Sequence, residues 1–554
     1  MCGIVGAFAD HPLPPPDIVL LRHRGPDAYG VVRVALGHRS GWIGGSRLAI
    51  TGADEPISMP LAFGHLGIVL AFVGEVYNWR ALRAELSDDA LPWRTESDAE
   101  VVARAWRRWG PGALDRFNGM FAFALADLHD GILHLARDRA GEKPLYYATD
   151  GDALRFASEI KAIGLPLEEA ACRDADALEF DCLRDVPFAG VAALLPGERA
   201  EWRPGAPLAL HTWWSPPVLP PADEPVLPVG DRLTEAVRDA VQIRVPEEVP
   251  FAVLVSGGLD SALIQAVAHA PRVYCLRFPD DGLDPLPLAQ QAAVGAEVVP
   301  VTFGLRDAER VLDQVAWHLD TPATWTALAY WFLAQRMAAD GVRVVLTGDG
   351  ADELFGGYAR YRALWWLEQM RADPALADYS SMLGQLLGTA DDEALLARVL
   401  DRGDATHSRA LVERLQGDGD LPARMARADW HTTMQVNLRM VDRIMMAHGI
   451  ENRSPLLDPR VIDIGFRMRT DCKITPNESK AALREVARRL GVPHAIIADR
   501  CKAGLAVPWN RWRRASAGLR GPWDRSDFRD AMRAAWRRAF ALDSAAGDRV
   551  ASGA

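Results

Sequence analysis

Cysteine is scarce in this 554-residue chain. The six that occur, at positions 2, 172, 182, 275, 472 and 501, are too few and too scattered for a disulfide framework, and no pair has zinc-ligand spacing. A reducing, cytoplasmic setting is the expectation. Long apolar runs are missing as well: the longest strongly apolar stretch covers residues 325–334, well short of the ~18 residues a membrane span needs. The amino-terminal MCGIVGAFAD reaches Asp10 with no basic leader, so no secretory signal is expected. Basic charge is in deficit, 62 Lys and Arg against 74 Asp and Glu for a net charge of -12, which sets the overall field against a nucleic-acid partner. The short Arg-rich stretch 511–514 reads as a solvated helix face. Polar low-complexity tracts do not occur, and 46 Gly and 37 Pro are spread along the chain, which excludes collagen-like and largely disordered classes.

What remains is ordinary globular composition, 49% hydrophobic and 25% charged, with ample chain for several cores. One composition shift stands out. Six prolines fall between positions 216 and 228, so residues 211–230 read as a semi-rigid linker between a domain at 2–210 and another at 231–540, with 541–554 as a flexible tail. Before the linker, apolar runs at 67–73, 120–128, 131–136 and 144–148 are separated by Gly, Asp and Asn, and one helical pattern covers 98–109; this is an α+β unit with much sheet. After it the rhythm becomes strand, loop, helix: strands at 249–255, 273–278, 298–302 and 342–346, with helices at 262–270 and 326–339. Short β-branched runs alternating with helices indicate a parallel, doubly wound sheet. Beyond residue 358 the pattern is almost entirely helical.

Two loops carry chemistry. Ser256-Gly257-Gly258-Leu259-Asp260-Ser261 follows a predicted strand and opens a helix. Glycines there turn backbone N–H groups toward one point, and the helix N-terminus adds partial positive charge, which suits phosphate. The loop lacks the Lys of a Walker P-loop; taken alone, it also suits a plain glycine turn. The second loop, Thr347-Gly348-Asp349-Gly350-Ala351-Asp352-Glu353 running on to Tyr358, follows another predicted strand, so both lie on the carboxyl edge of the sheet where ligands bind. Asp260 and Asp352 are placed to share the Mg²⁺ that accompanies a nucleotide, since magnesium favours one or two carboxylates plus phosphate oxygens. Either aspartate alone also suits a helix cap.

In this order the two loops resemble the synthetase domain of the asparagine synthetase family, a branch of the pyrophosphate-loop ATPases. The likeness continues through Val441-Asp442-Arg443, Glu451-Asn452-Arg453, Ser479-Lys480 and Lys502-Ala503-Gly504. Upstream of the linker, Arg24-Gly25-Pro26-Asp27, Gly74-Glu75-Val76-Tyr77-Asn78, Gly119-Met120-Phe121 and Lys143-Pro144-Leu145 are similar to the family's class II glutamine amidotransferase domain, an N-terminal nucleophile (Ntn) fold. The resemblance implies that loss of Met1 leaves Cys2 as the nucleophile toward glutamine, with its own α-amine as base. It implies that Arg47 and Asp98 clamp glutamine, with Val73, Gly74 and Glu75 in the same pocket, because the two ends of an amino acid need opposite charges. It further implies ATP contacts from Leu254, Ser256, Gly257, Gly258, Asp260, Ser261, Leu276, Thr347 and Gly348, a catalytic acid at Asp349, and Lys480 facing developing negative charge. The expected reaction is ATP-dependent amidation of a carboxylate with glutamine or ammonia, asparagine synthesis from aspartate foremost; a homodimer is compatible with it.

Three departures bear on that reading. The family places Asn where Val73 stands, so one oxyanion donor is lacking and slow glutamine hydrolysis is expected. Gly37-His38-Arg39 is separated from Arg47-Leu48 by SGWIGGS, which reads as an insertion at 40–46 and, most economically, as a lengthened exposed turn. Residues 320–326 replace a more polar stretch and lead into Trp325, Tyr330, Trp331 and Phe332; these aromatics either pack in the core, the usual fate of such a stripe, or line a pocket for an acceptor larger than aspartate. β-Lactam synthetase relatives generally place Tyr where Asp349 stands, which argues against ring closure. The remaining alternatives are a C–N ligase of specialised metabolism and a silent binding or regulatory paralogue.

Overall fold

The computed structural model describes the chain apart from residues 1, 56, 88–91, 152, 170–183, 218–228, 279–283, 323, 374–418, 500–506, 510, 513–525 and 543–554. The linker's central prolines, the Lys502 motif, the tail from residue 543 on and three of the six cysteines lie outside the described residues.

The amino-terminal half is a pair of six-stranded antiparallel sheets. One runs β10 (Ala192–Ala193), β8 (Tyr146–Asp150), β9 (Ala153–Ala157), β1 (Gly3–Ala9), β3 (Arg39–Arg47), β2 (Ala28–Leu36). The other runs β12 (Ala209–Thr212), β11 (Glu198–Trp202), β7 (Ile132–Arg137), β6 (Gly119–Asp127), β5 (Ile68–Val76), β4 (Leu61–Phe63). β1 and β3 pack on β5, and the helix Asp98–Trp109 covers the other face of that sheet, with Trp106 edge-on to Phe123 at 5.5 Å. Burial on both faces explains why β6 reads as a continuous apolar run rather than an alternating one. The helix starts where Ser97 accepts a hydrogen bond from Ala99 N, an N-cap followed by acidic first-turn residues.

Residues 40–46 are not the lengthened exposed turn expected of an insertion. Those residues form most of β3, paired with β1 from Gly3↔Ser46 to Ala9↔Ser40 and with β2 along its whole length. Gly44-Gly45-Ser46 therefore fill the strand positions directly before Arg47. Side-chain space there is filled instead by Met59, whose Cβ lies 2.9 Å from where a Gly45 Cβ would sit.

The second half holds a five-stranded parallel sheet, β15 (Glu297–Val301), β14 (Arg272–Leu276), β13 (Phe251–Leu254), β16 (Val344–Leu346), β17 (Glu451–Arg453). From β13 the chain proceeds to β14 on one side and later to β16 on the other. This reversal opens a crevice at the carboxyl ends of β13 and β16, where both glycine loops emerge. β17 is the strand that interrupts the almost entirely helical pattern beyond residue 358: Glu-Asn-Arg has little strand propensity, but it extends the sheet by pairing with β16.

Buried charges join the halves. Arg24 donates to Asp442 at 2.9 Å and Lys161 to Asp320 at 2.9 Å, and Arg443 Nη1 lies 3.3 Å from Glu159 Oε1. All of these side chains are almost entirely excluded from solvent. Removing one partner of such a pair typically costs about 3–5 kcal/mol, so the sequence fixes the domain arrangement as firmly as a core.

Candidate active site

Every residue expected at the nucleotide lines one cavity of about 1090 Å³: Leu254, Ser256, Gly257, Gly258, Asp260, Ser261, Leu276, Thr347, Gly348, Asp349, Asp352 and Lys480. β13 delivers the first loop. Ser261 Oγ accepts from Ser256 N at 3.2 Å and donates to Gly258 O at 3.2 Å, closing the loop on the first turn of the helix Leu259–Ala268. The second loop leaves β16 and packs against the first so closely that a Cβ on Gly348 would meet Asp260 Cβ at 2.8 Å. Only glycine allows that approach.

Lys480 Nζ lies 2.6 Å from Asp260 Oδ2 and 2.8 Å from Asp352 Oδ1. Burial alone would lower the lysine's pKa, but the two carboxylates raise it far above its ordinary value, so it is charged at any working pH. Lys480 also has φ +56°, a left-handed conformation that costs a non-glycine residue about 1–2 kcal/mol. Asp260 Oδ1 is buried with no hydrogen-bond partner, which is the donor a divalent cation would use. Two carboxylates without a third ligating side chain nearby fit Mg²⁺ held jointly with phosphate oxygens; no cluster of three or more such side chains occurs among the described residues. Asp349 Oδ2 accepts from Thr347 Oγ1 at 2.6 Å. Burial pushes its carboxyl up, and the hydrogen bonds from Thr347, Asn452 and Ser454 oppose that shift.

The aromatics divide between the two expectations. Trp325 and Tyr330 line the cavity, whereas Trp331 packs on His448 at 4.5 Å and Phe332 stacks on Phe303 at 4.1 Å. One contributor had no sequence signal. The helix Ala359–Ala372 turns Ala359, Arg362, Ala363 and Trp366 into the cavity, the i, i+3, i+4, i+7 spacing of a single face, and Trp366 is 41% exposed.

In the first half, Cys2 is buried at the start of β1, and its carbonyl accepts from Arg24 Nε at 3.2 Å. Burial pushes the thiol up, against the pull of Arg47 and of a hydrogen bond from the Leu48 backbone. Gly74 has φ +117°, and a Cβ there would sit 1.9 Å from Met120 O, so no other residue fits. Val73 is fully buried in β5 and shares a strand face with Glu75; its side chain donates nothing. Ser46 supplies no replacement, because its hydroxyl donates to Leu21 O at 3.1 Å. Asp98 accepts from Val76 N at 2.9 Å; burial and then the neighbouring Glu75 push its carboxyl up to about 8. Glu75 is also raised by burial, against Arg453. Arg47 donates to Thr51 O, Gly52 O and Glu55 O and lines a cleft of about 610 Å³ between the halves. The contact of Glu75 to Arg453 in the second half had no signature in the sequence.

An antiparallel sandwich with a cysteine at the head of its first strand, joined rigidly to a parallel sheet with paired glycine loops, defines a two-part amidotransferase and ligase. Residues 232–535 match the Asparagine synthase family and residues 1–214 the Glutamine amidotransferase domain. The chain is 28% identical over 573 residues to asparagine synthetase [glutamine-hydrolyzing] 1 of Bacillus subtilis, covering 92% of this chain and 88% of that one. It is 32% identical over 552 residues to a putative asparagine synthetase [glutamine-hydrolyzing] of Mycobacterium bovis, covering 90% and 84%. A solved glutamine phosphoribosylpyrophosphate amidotransferase from B. subtilis overlaps with a TM-score of 0.28 at 17% identity, over 54% of this chain and 65% of that one; the strand pairings above, not that overlap, define the fold. The chain belongs to the asparagine synthase family, and so is an ATP-using, glutamine-hydrolysing carbon–nitrogen ligase. No helix among the described residues is long and apolar enough to cross a membrane.

Proposed function

We propose that the 1090 Å³ cavity adenylates a carboxylate and amidates it, with aspartate the first acceptor to test, and that glutamine is a slow source of the ammonia. The observation that carries the reading is Lys480 held between Asp260 and Asp352 beneath two glycine loops. In the proposed sequence a carboxylate oxygen attacks the α-phosphorus of ATP and the α–β P–O bond breaks. Lys480 and the backbone N–H groups of Gly257 and Gly258 meet the charge gathering on pyrophosphate. Magnesium, held by Asp260 and Asp352, would neutralise phosphate charge. Ammonia then attacks the acyl carbon, AMP leaves, and the excess proton passes to a base; the carboxylate of Asp349, made more basic by burial, is the assigned group.

In the amino-terminal half, Cys2 attacks the side-chain amide carbon of glutamine, the C–N bond breaks and ammonia departs; water then hydrolyses the thioester to glutamate. Arg47 holds the glutamine carboxylate, and Asp98 with Glu75 holds its ammonium. The oxyanion receives a backbone donor at Gly74 but none from Val73. A second reading, an acceptor bulkier than aspartate, is favoured by the Arg362 and Trp366 helix face. Pyrophosphate release with ATP and a panel of carboxylates tests both readings: release with aspartate supports the first, preference for a larger acid the second, and release with none refutes both.

A further inference from the structure

We infer that the glutamine pocket is completed from the other side of the linker, with Glu248 and Arg453 as positioning residues for glutamine recognition. This rests on the reading above that Arg47, Glu75 and Asp98 hold glutamine.

Two consecutive peptide units are each gripped from both ends. Gly52 N donates to Glu248 Oε1 at 3.2 Å, and the carbonyl of the same peptide, Thr51 O, accepts from Arg47 Nη2 at 3.3 Å. Ala53 N donates to Glu248 Oε2 at 2.9 Å, and the carbonyl of that peptide, Gly52 O, accepts from Arg47 Nη2 at 2.7 Å. A carboxylate on the N–H ends and a guanidinium on the C=O ends polarise both peptides in the same sense, so each contact strengthens the other. Glu248 therefore fixes the loop that fixes Arg47, and it does so from the turn between the helix Val229–Gln242 and β13. The donors of Arg47 that the loop does not use are those left for a ligand carboxylate.

The same loop reaches the other end of the pocket. Thr51 Oγ1 donates to Glu75 Oε1 at 2.6 Å, while Arg453 Nη2 donates to Glu75 Oε2 at 2.6 Å. Arg453 also donates to Glu451 at 2.7 Å and to Arg244 O at 2.9 Å, which anchors it in the second half. Its charge offsets the mutual repulsion of Glu75 and Asp98, the pair assigned to the ammonium of glutamine. Both ends of the ligand are thus read by side chains whose orientation is set across the domain boundary.

The test uses the full chain. Glu248 is exposed, so Glu248→Ala is not expected to unfold the protein. Loss of a charge-assisted contact to a solvent-facing carboxylate should raise the glutamine KM by roughly 3- to 10-fold with kcat nearly unchanged. Glu248→Asp should recover part of that affinity. Arg453→Lys, which keeps the charge but not the fork, should raise KM in the same way. Ammonia-dependent pyrophosphate release is the folding control, and glutamine binding to Cys2→Ala by calorimetry gives affinity without turnover. Unchanged glutamine affinity in both variants, or an equal loss of glutamine- and ammonia-dependent activity, would overturn the inference alone. Failure of the parent protein to bind glutamine at all would overturn the pocket reading and the inference with it.

Discussion

Replacing Val73 by Asn should restore an oxyanion donor at a position whose backbone is already set. β5 is paired with β6 on both sides of this residue, from Phe72↔Phe123 to Gly74↔Phe121, so the change adds an amide without moving the strand. One such donor is typically worth ~2.7–4 kcal/mol in the transition state, or about 10²–10³ in rate. Against this, Val73 is fully buried, and an amide there without a partner in the free enzyme costs about 1–3 kcal/mol of stability. The substitution should therefore raise glutaminase kcat by as much as ~10², leave glutamine KM nearly unchanged, and lower the melting temperature of the free protein by several degrees. Glutamate release followed by a coupled assay, with thermal unfolding in parallel, measures both. Cys2→Ala in the same background should abolish glutamate release and spare ammonia-dependent synthesis. The reasoning is refuted if the native enzyme already hydrolyses glutamine as fast as its Asn-bearing relatives and Val73→Asn adds nothing.

Three further outcomes are expected. Asp260→Asn or Asp352→Asn should abolish pyrophosphate release, since each removes half of the carboxylate pair around Lys480; full activity in either would contradict the phosphate-site assignment. Asp98, raised to about 8, is protonated below that pH in the free enzyme, whereas the glutamine ammonium favours the carboxylate. Glutamine binding should thus release a proton, and KM should fall as pH rises from 6.5 toward 8; a flat profile would count against Asp98 as the ammonium partner. The same shift makes folding stability decline across pH 4–8, because the unfolded chain gives up this proton and the folded chain retains it. Trp366→Ala should weaken KM for an aromatic or extended carboxylate by roughly 5- to 20-fold while sparing aspartate, if the helix face at Ala359, Arg362, Ala363 and Trp366 receives the acceptor; equal effects on all acceptors would remove that role.

How far the sequence discloses this enzyme depends on whether structure is encoded locally. The helices at 98–109 and 326–339 fall where their periodicity places them, and the two glycine loops meet because each ends a strand in an open parallel sheet. β3 is not legible locally because Gly44-Gly45-Ser46 has no strand preference of its own; pairing with β1 on one side and β2 on the other imposes the conformation. β17 was hidden for a related reason. A charged Glu-Asn-Arg triplet is buried there only because Glu451, Arg453 and Glu75 satisfy one another, a relationship that spans 378 residues of sequence. The aromatic run at 325–332 was legible as a stripe but not as two faces, since only packing separates Trp325 and Tyr330 from Trp331 and Phe332.

The strand Glu451–Arg453 serves two chemistries at once. Arg453 turns with Glu451 toward Glu75, part of the proposed glutamine pocket, while Asn452, between them, meets Thr347 Oγ1 at 3.0 Å beside Asp349. Selection on one reaction is therefore felt by the other within a single step of backbone. A lineage that stopped using glutamine would be free to change Val73, whose side chain is apolar, yet it would still be held to Glu75, because Arg453 is buried and would be left with Glu451 as its one carboxylate partner. Decay of such a pocket should proceed unevenly, apolar and catalytic positions drifting first and the ionic frame persisting long after the nucleophile has fallen idle.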